Sequence, residues 1–402
     1  MTTPTTRRGP RYTPAEVPLI ELSVVIPCLN EADTIGSCIE KAFEAMRIHQ
    51  IAGEVIVADN GSTDDSQEIA TALGARVVKV SQKGYGSALM GGIAAARGKY
   101  ILMGDADDSY DFREIPAFVI KLREGYELVQ GCRLPSGGGT VMPGAMPFLH
   151  RWWGNPMFSW LARGWFRAAI SDVNCGLRAF TKAHYERLGQ RCTGMEFANE
   201  MIIKTSLIGA KVAEVPITLH VDGRKAHGPH LRTFRDGWRT LRFYMLYSPR
   251  WLFLVPGAML IVLAAIGYGI AMPGLRIGHV TFDVHTLLFA SLAAIAGYQS
   301  IVFALFTKVF AISERLLPED PRLTRLGALV NLERGLLAGA VVLLTGLGLL
   351  GSAVSQWWAV NFGPLNYSHT MRWVIPGVML TTLGFQTILS SFFLSVLAMK
   401  RR

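Results

Sequence analysis

The sequence predicts an α/β domain on a mostly parallel sheet, followed by a membrane domain of transmembrane α-helices. Three observations predict this. Over 19–135, short apolar runs alternate with amphipathic stretches, the pattern of successive βαβ units. Beyond residue 250, four stretches lack charge and are each long enough to cross a bilayer. Charge is also unevenly spread: residues 1–250 hold 30 Lys+Arg and 25 Asp+Glu, whereas residues 251–402 hold 10 and 5. The chain as a whole is only 17% charged, against roughly 25% in soluble domains. This excludes a disordered chain, a collagen-like chain and a small disulfide scaffold.

Taken in order, residues 1–18 are rich in Thr, Pro and Arg without an apolar centre. They read as a disordered arm rather than a signal peptide. Strands are expected at 22–26, 54–58, 76–80, 100–103 and 128–131, with helices near 32–48, 64–73, 84–97 and 112–124 between them. Right-handed crossovers then make the sheet parallel, and ligands bind outside the carboxyl ends of its strands. Residues 147–168 place Trp152, Trp153, Trp160 and Trp165 among Arg151, Arg163 and Arg167. They read as one or two helices in the membrane interface, or alternatively as a core-packing hairpin. From Asp222 to Arg250 there are seven Lys/Arg and two acids. Arg232, Arg235, Arg239 and Arg242 form one stripe of a helix, opposite Leu231, Phe234, Trp238, Leu241 and Met245. A basic amphipathic helix over 231–250 favours an anionic membrane surface. The stripe serves either as an anchor alone or as part of the site.

Spans are expected near 251–273, 284–310, 335–354 and 373–397. The loop 313–334 carries Arg315, Arg322, Arg325 and Arg334, and the chain ends Lys400-Arg401-Arg402; the opposite loops carry only Arg276 and Arg372. The positive-inside rule then puts the α/β domain and both termini in the cytoplasm. Lys308 sits near the inner end of its helix, where it can snorkel. Trp251 falls at the inner boundary, and Trp357, Trp358 and Trp373 at the outer one. The five Cys (Cys28, Cys38, Cys132, Cys175 and Cys192) are odd in number and lack a C-x-x-C pair, so reduced thiols and no zinc site are expected.

Polar clusters follow four of the expected strands: Pro27-Cys28-Leu29-Asn30-Glu31, Asp59-Asn60-Gly61-Ser62-Thr63-Asp64, Gly104-Asp105-Ala106-Asp107-Asp108 and Gly131-Cys132-Arg133. One such loop is ordinary turn chemistry; four on one edge suggest a site. Asp105 and Asp107 lie at i and i+2 and face the same side in an extended segment. Converging carboxylates need a cation, and Mg2+ or Mn2+ binds through one or two carboxylates plus substrate phosphates. Such an ion neutralises a pyrophosphate leaving group. Asp59 suits recognition of a nucleoside, or else an N-cap. Glu31 is either a nucleotide contact or a first-turn acid favoured by the helix dipole. Lys83-Gly84-Tyr85-Gly86 opens a dinucleotide-like pattern whose third Gly is replaced by Leu89, so it reads as a flexible loop near the site rather than a nicotinamide motif.

The order P-x-x-N-E, D-N-G-S-T-D, D-A-D resembles the family 2 glycosyltransferases of GT-A fold. Within them it is most similar to the polyprenyl-phosphate branch of dolichol-phosphate mannose synthases and undecaprenyl-phosphate glucosyltransferases. The match covers roughly 20–230, so 19–230 is expected to be the GT-A domain. The resemblance implies inverting transfer of one sugar from a UDP- or GDP-sugar to a polyprenyl phosphate. It implies that Pro27, Glu31 and Asp59 contact the nucleoside, that Asp105 and Asp107 hold metal and diphosphate, and that Arg133 and Arg151 hold phosphates. Asp172-Val-Asn-Cys-Gly176-Leu-Arg178 resembles the acceptor-side segment. Asp172 is a candidate to orient the acceptor or take a proton, with a structural hydrogen bond as the alternative, and Arg178 a candidate for its phosphate. Glu196 and Glu200, four apart on one helix face, either help the site or are partly solvated. The branch's R-x-x-G-x-S-K loop corresponds to Arg224-Lys225-Ala226-His227-Gly228-Pro229-His230, one residue longer and with His in place of Lys. Arg224, His230, Arg232 and Arg235 are therefore the candidate phosphate ligands there. No Q-x-x-R-W is present, which argues against a processive polysaccharide synthase.

A phosphate acceptor fits this cation-rich pattern, because a phosphate monoester has a second pKa near 6 and is largely ionised at neutral pH. The expected partners are a nucleotide sugar, a polyprenyl phosphate and anionic lipid, with no nucleic acid; an oligomer is compatible. The alternatives are a transferase acting on a lipid or glycan hydroxyl, and a non-catalytic scaffold or translocator of lipid-linked sugars. The intact D-x-D disfavours the last. So does the lack of a charge pair within the spans.

Overall fold

The computed structural model describes residues 20–225, 233–314, 317, 320 and 331–399. The chain forms two compact units that divide between Thr240 and Leu241, inside the expected basic helix rather than at either of its ends. The arm at 1–18 lies outside the described residues, as do His230 and Arg232.

The first unit starts with the alternation expected: β1 (Leu22–Cys28), α1 (Ile35–Ile48), β2 (Gly53–Asp59), α2 (Ser66–Ala72), β3 (Arg76–Lys79), α3 (Tyr85–Ala95), β4 (Tyr100–Met103), a short 3-10 turn and α4 (Ile115–Arg123), then β5 (Leu128–Cys132). β1, β2, β3 and β4 are parallel neighbours. β1 is buried on both faces, as a central parallel strand must be. α1 turns Ile35, Cys38, Ile39, Ala42, Ala45 and Met46 into the core, spaced i, i+3, i+4, i+7, i+10, i+11 for one apolar stripe. Each of its large aliphatic side chains contributes roughly 2 kcal/mol on burial.

Downstream come β6 (Thr140–Val141), α5 (Asn155–Phe166), β7 (Arg178–Thr181), α6 (Lys182–Leu188), α7 (Glu196–Leu207), β8 (Val212–Pro216) and β9 (Thr218–Leu219). The seven-stranded sheet runs β3-β2-β1-β4-β7-β5-β8. β7 is antiparallel to both β4 and β5, so a chain segment from far downstream separates two strands that are consecutive in sequence. The small β6–β9 pair and a bridge from Tyr110 to Leu219 draw the chain after β9 onto the loop after β4. α8 (Thr233–Tyr247) carries Arg235, Arg239 and Arg242 exposed.

The second unit holds α9 (Val255–Ala271), the hairpin strands β10 (Arg276–Ile277) and β11 (Val280–Thr281), then α10 (Val284–Ser313), α11 (Leu332–Ala359) and α12 (Tyr367–Ala398). Among the described residues, four helices are long and apolar enough to cross a membrane, α9 counted with the wide turn at Arg250–Leu254 before it. α10, α11 and α12 run longer than the spans expected near 284–310, 335–354 and 373–397. α10 packs on α9 and α12, and α12 packs on α11. Small residues let these backbones close up: a Cβ on Gly384 would strike the backbone of Leu343, and one on Gly257 the carbonyl of Gly297. At one end of this unit Arg372 pairs with Asp283 at 2.9 Å. Toward the other end of α10, Lys308 pairs with Asp320.

Candidate active site

The site is assembled at the carboxyl ends of β1, β2 and β4. After β1 the chain turns through Asn30, at φ 59°, a left-handed conformation that Asn tolerates. Its Oδ1 accepts the Thr63 N–H at 2.8 Å, which ties the β1 and β2 loops together. Glu31 is buried; its own N–H donates to Ser66 Oγ at 2.9 Å. Asp59 ends β2, buried, and its carboxylate accepts the N–H groups of Gly61 (3.0 Å) and Ser62 (3.1 Å) and the Gln67 side chain (3.0 Å). It braces the loop that follows it, without capping α2, whose N-cap is Asp65.

After β4 the D-A-D segment bends away from the sheet. Asp108 takes the left-handed region (φ 58°) and turns its carboxylate onto Lys41 (2.7 and 2.9 Å) and Ser37 (3.0 Å) of α1. Asp105 and Asp107 stay near each other. Asp105 Oδ1 accepts the Tyr85 hydroxyl at 2.9 Å, and Asp107 Oδ1 accepts Ser109 Oγ at 2.6 Å. Burial, then the charge of Asp107, lifts the Asp105 carboxyl to about 6, while the Tyr85 bond works the other way. Burial first, then Asp105, keeps the Tyr85 phenol well above its ordinary value, so it remains a donor.

The chain after β9 closes over this loop. The His220 N–H donates to Ser109 O (2.9 Å) and the Gly223 N–H to Asp107 O (2.9 Å). These two bonds deliver Arg224. Its guanidinium meets Glu31 at 2.7 Å, Asp222 at 2.7 Å and Asp107 at 3.4 Å. Burial opposes its charge, yet the carboxylates of Glu31, Asp107 and Asp222 outweigh burial and hold Arg224 above its ordinary value. Three clusters far apart in sequence thus share one cation.

The carboxylates fit a divalent ion in part. Oδ2 of Asp105 makes no hydrogen bond among the described residues, and Oδ2 of Asp107 has only the 3.4 Å approach of Arg224. Among those residues no group of three or more His, Cys, Asp or Glu could hold a metal. A metal held by these two acids would take its other ligands from water and substrate oxygens. A Cβ at Gly176 would strike Asp105 Oδ2, so this segment must be Gly for the acid to sit where it does.

Several expectations are corrected. Arg178, expected to meet phosphate, has its donors turned to main-chain carbonyls instead. It lies fully buried on β7, and its guanidinium donates to the carbonyls of Cys175 and Ala198, each at 2.7 Å. Burial pulls it below its ordinary value. Asp172 is not placed as a base. It is fully buried, and both carboxylate oxygens are taken by Arg133, Oδ2 by Nε at 2.7 Å and Oδ1 by Nη2 at 2.9 Å. Arg133 in turn is committed to Asp172, with Nη1 3.4 Å from the Tyr110 hydroxyl. Glu200 is fully buried against Lys204 (2.7 Å) and accepts the N–H groups of Arg191 and Cys192. The Lys83–Gly86 loop is pinned rather than flexible: Asn60 accepts the Gly84 N–H and donates to Gln82 O, each at 2.8 Å.

Pro27 falls within β1 beside the site. Arg151 stands in the wide turn before α5, 5.6 Å from the Trp152 ring, and Arg235 is exposed on α8. Sequence reasoning missed Tyr85, whose signal was its place at the first turn of the helix after the Gly loop. All five Cys are free thiols.

Comparison with known proteins agrees with the sheet and the spans alike. Residues 23–186 match Glycosyl transferase family 2, and residues 305–398 match the Glycosyltransferase family 2 C-terminal transmembrane region. The chain is 37% identical over 377 residues to the low-salt glycan biosynthesis hexosyltransferase Agl6 of Haloferax volcanii, covering 94% of this chain and 89% of that one. It is 33% identical over 198 residues to a dolichyl-phosphate hexose transferase of the same organism, covering 49% and 82%. Among solved structures, it is similar to glucosyl-3-phosphoglycerate synthase from Mycobacterium tuberculosis in complex with Mn2+, UDP and glucosyl-3-phosphoglycerate. That likeness has a TM-score of 0.45 and 23% identity, over 60% of this chain and 85% of that one. With the family models matching 23–186 and 305–398 and a relative 37% identical along 94% of the chain, the protein belongs to glycosyltransferase family 2.

Proposed function

We propose that the protein transfers one sugar, with inversion, from a UDP- or GDP-sugar to a polyprenyl phosphate at the cytoplasmic leaflet, releasing a nucleoside diphosphate. The observation that carries this reading is the convergence on Arg224 of Glu31 after β1, Asp107 after β4 and Asp222 after β9. It sets acids and a cation at the strand ends where a nucleotide binds in such a sheet. Pro27, Glu31 and Asp59 line the nucleoside end. Asp105 and Asp107 would hold Mg2+ or Mn2+, which would supply positive charge to the diphosphate leaving group. Arg224 exchanges part of its carboxylate contacts for phosphate oxygens. Tyr85 fixes the rotamer of Asp105.

The acceptor is proposed from chemistry. A hydroxyl nucleophile needs a general base, and the acid suspected of that role, Asp172, is spent on Arg133. A phosphate monoester already carries its negative charge. Support also comes from the four apolar helices and from a relative that is named a dolichyl-phosphate hexose transferase.

The test is purified protein with Mg2+, a panel of nucleotide sugars and polyprenyl phosphate. A lipid product that releases its sugar in mild acid is expected, and Asp107→Ala should lower the rate at least a hundredfold, the scale of losing a main charge-stabilising contact. An acid-stable glycoside would transfer the reading to a hydroxyl acceptor. Full activity in Asp107→Ala would remove the metal assignment.

A further inference from the structure

α10 crosses the apolar layer with one conspicuous polar side chain. Gln299 lies nine residues before Lys308 and sixteen after Asp283, about 13 Å and 24 Å along the helix at its usual rise. In a hydrocarbon layer roughly 30 Å thick, that is near the middle, too deep for a short amide to reach water. Gln299 is exposed and makes no hydrogen bond among the described residues. Gln386 and Thr381 of α12 also have an oxygen without a partner, but those atoms are buried inside the unit, whereas Gln299 faces outward. The exposed hydroxyls of Thr345 and Ser355 and the half-buried one of Thr382 return their hydrogen bonds to carbonyls of their own helix, each at 2.8 Å. Tyr298, next in sequence, bonds Thr387 of α12 at 2.6 Å.

The position of Gln299 on its helix explains the difference. α10 uses Gly297 and Ser300 against the first span, where Ser300 Oγ donates to Phe253 O at 2.8 Å, and Phe306 against Phe393 of α12. The remaining stripe, Leu292, Gln299, Phe303 and Phe310, is exposed. Acyl chains offer a carboxamide neither donor nor acceptor, and an unsatisfied polar group in hydrocarbon is costly. A carboxamide carries both a donor and an acceptor, so it is complementary to a second copy of itself. A two-fold axis in the assembly places residue i against residue i. Ala296, one turn away on the same stripe, is small enough to let two backbones approach.

We infer that this face of α10 is a self-association surface, on which two copies meet across a two-fold axis with their Gln299 amides hydrogen-bonded to each other. The inference is independent of which sugar or acceptor the site uses, because it concerns only the spans. Two-fold pairing predicts that Ala296 of one copy lies beside Ala296 of the other.

The experiment uses the full chain in native-like membranes. Ala296→Cys is oxidised with copper phenanthroline, with Leu344→Cys, exposed mid-span on α11, as the control at matched depth. The native thiols give the background. A covalent dimer is expected from Ala296→Cys and not from Leu344→Cys. Adding Gln299→Leu, which keeps the face apolar and so preserves insertion, should weaken dimerisation about tenfold. Gln299→Asn, which keeps an amide, should retain most of it. Mass photometry of the wild type in nanodiscs supplies the second reading, a dimer. A monomeric wild type overturns the inference, and is the result expected if a lipid headgroup drawn into the layer satisfies Gln299 instead. Equal crosslinking at Leu344→Cys, or a Gln299→Leu protein that dimerises as well as the wild type, also overturns it.

Discussion

At the scale of single residues, Asp172 separates a catalytic part from a structural one. Its carboxylate holds Arg133 by two parallel hydrogen bonds in the core, and breaking one side of a buried pair leaves an uncompensated charge. Asp172→Asn is therefore expected to cost about 3 kcal/mol of stability, read as a lowered unfolding midpoint of the detergent-purified chain. A midpoint unchanged from wild type, with turnover lost, would return Asp172 to the role of proton acceptor. Residues at strand ends were legible before the structure because polar clusters follow four expected strands on one edge, more than turn chemistry alone requires: Glu31, Asp59, Asp105 and Asp107 stand where the alternation put them. Arg178 was misread for the opposite reason. A cation beside a motif looks like a ligand in sequence, and nothing local tells that its donors go to the carbonyls of Cys175 and Ala198. Tyr85 was overlooked, despite its place at a helix start, because its partner is twenty residues away and its own neighbours spell a loop.

At the scale of elements, periodicity revealed β1 to β5 and α1 to α4 but not β7. Arg178–Thr181 is no shorter than β3 or β4, but it lies outside the βα alternation, and its antiparallel insertion between β4 and β5 is a long-range pairing. The segment after β9 was equally hidden, since the bonds that place it run to the backbone of Ser109 and Asp107. One junction of that kind titrates. Glu114, just before α4, accepts the Thr218 N–H of β9 at 3.2 Å, while its other oxygen is buried without a partner. Burial, opposed by the Thr218 bond and aided by Asp111, raises its carboxyl from 4.5 to about 7. The folded state then binds the proton more tightly than the unfolded one. Its contribution is complete below pH 4.5, declines between 4.5 and 7, and above 7 becomes a constant penalty. Discounted for its partial exposure, the penalty is on the order of 1 kcal/mol. Glu114→Gln should match the wild type at pH 4.5 and exceed it in unfolding midpoint at pH 8; an identical pH profile would refute the buried-acid account.

At the scale of the whole molecule, both the spans and the α/β unit present apolar surface that water would not leave uncovered. In the α/β unit, Phe148, Trp152, Trp153 and Trp160 are exposed around α5, with Arg163 and Arg167 exposed beside them. A core-packing hairpin would have turned those rings inward; here Phe158, Leu161, Ala162 and Phe166 fill the core instead. On α8, Phe234 and Trp238 are likewise exposed, beside the exposed Arg235 and Arg239. Indole rings with flanking Arg suit the boundary between headgroups and acyl chains, and the Arg side chains suit anionic headgroups. If these faces meet the membrane, the indoles lie within reach of acyl chains. In nanodiscs of brominated, anionic lipid, the wild-type emission should be strongly quenched, and Trp152→Phe with Trp153→Phe should remove a measurable share of the quenchable part. Should the double variant lose only unquenchable emission, those rings stand clear of the bilayer. The lipid phosphate would then need another route to Asp105 and Asp107 than one along α5.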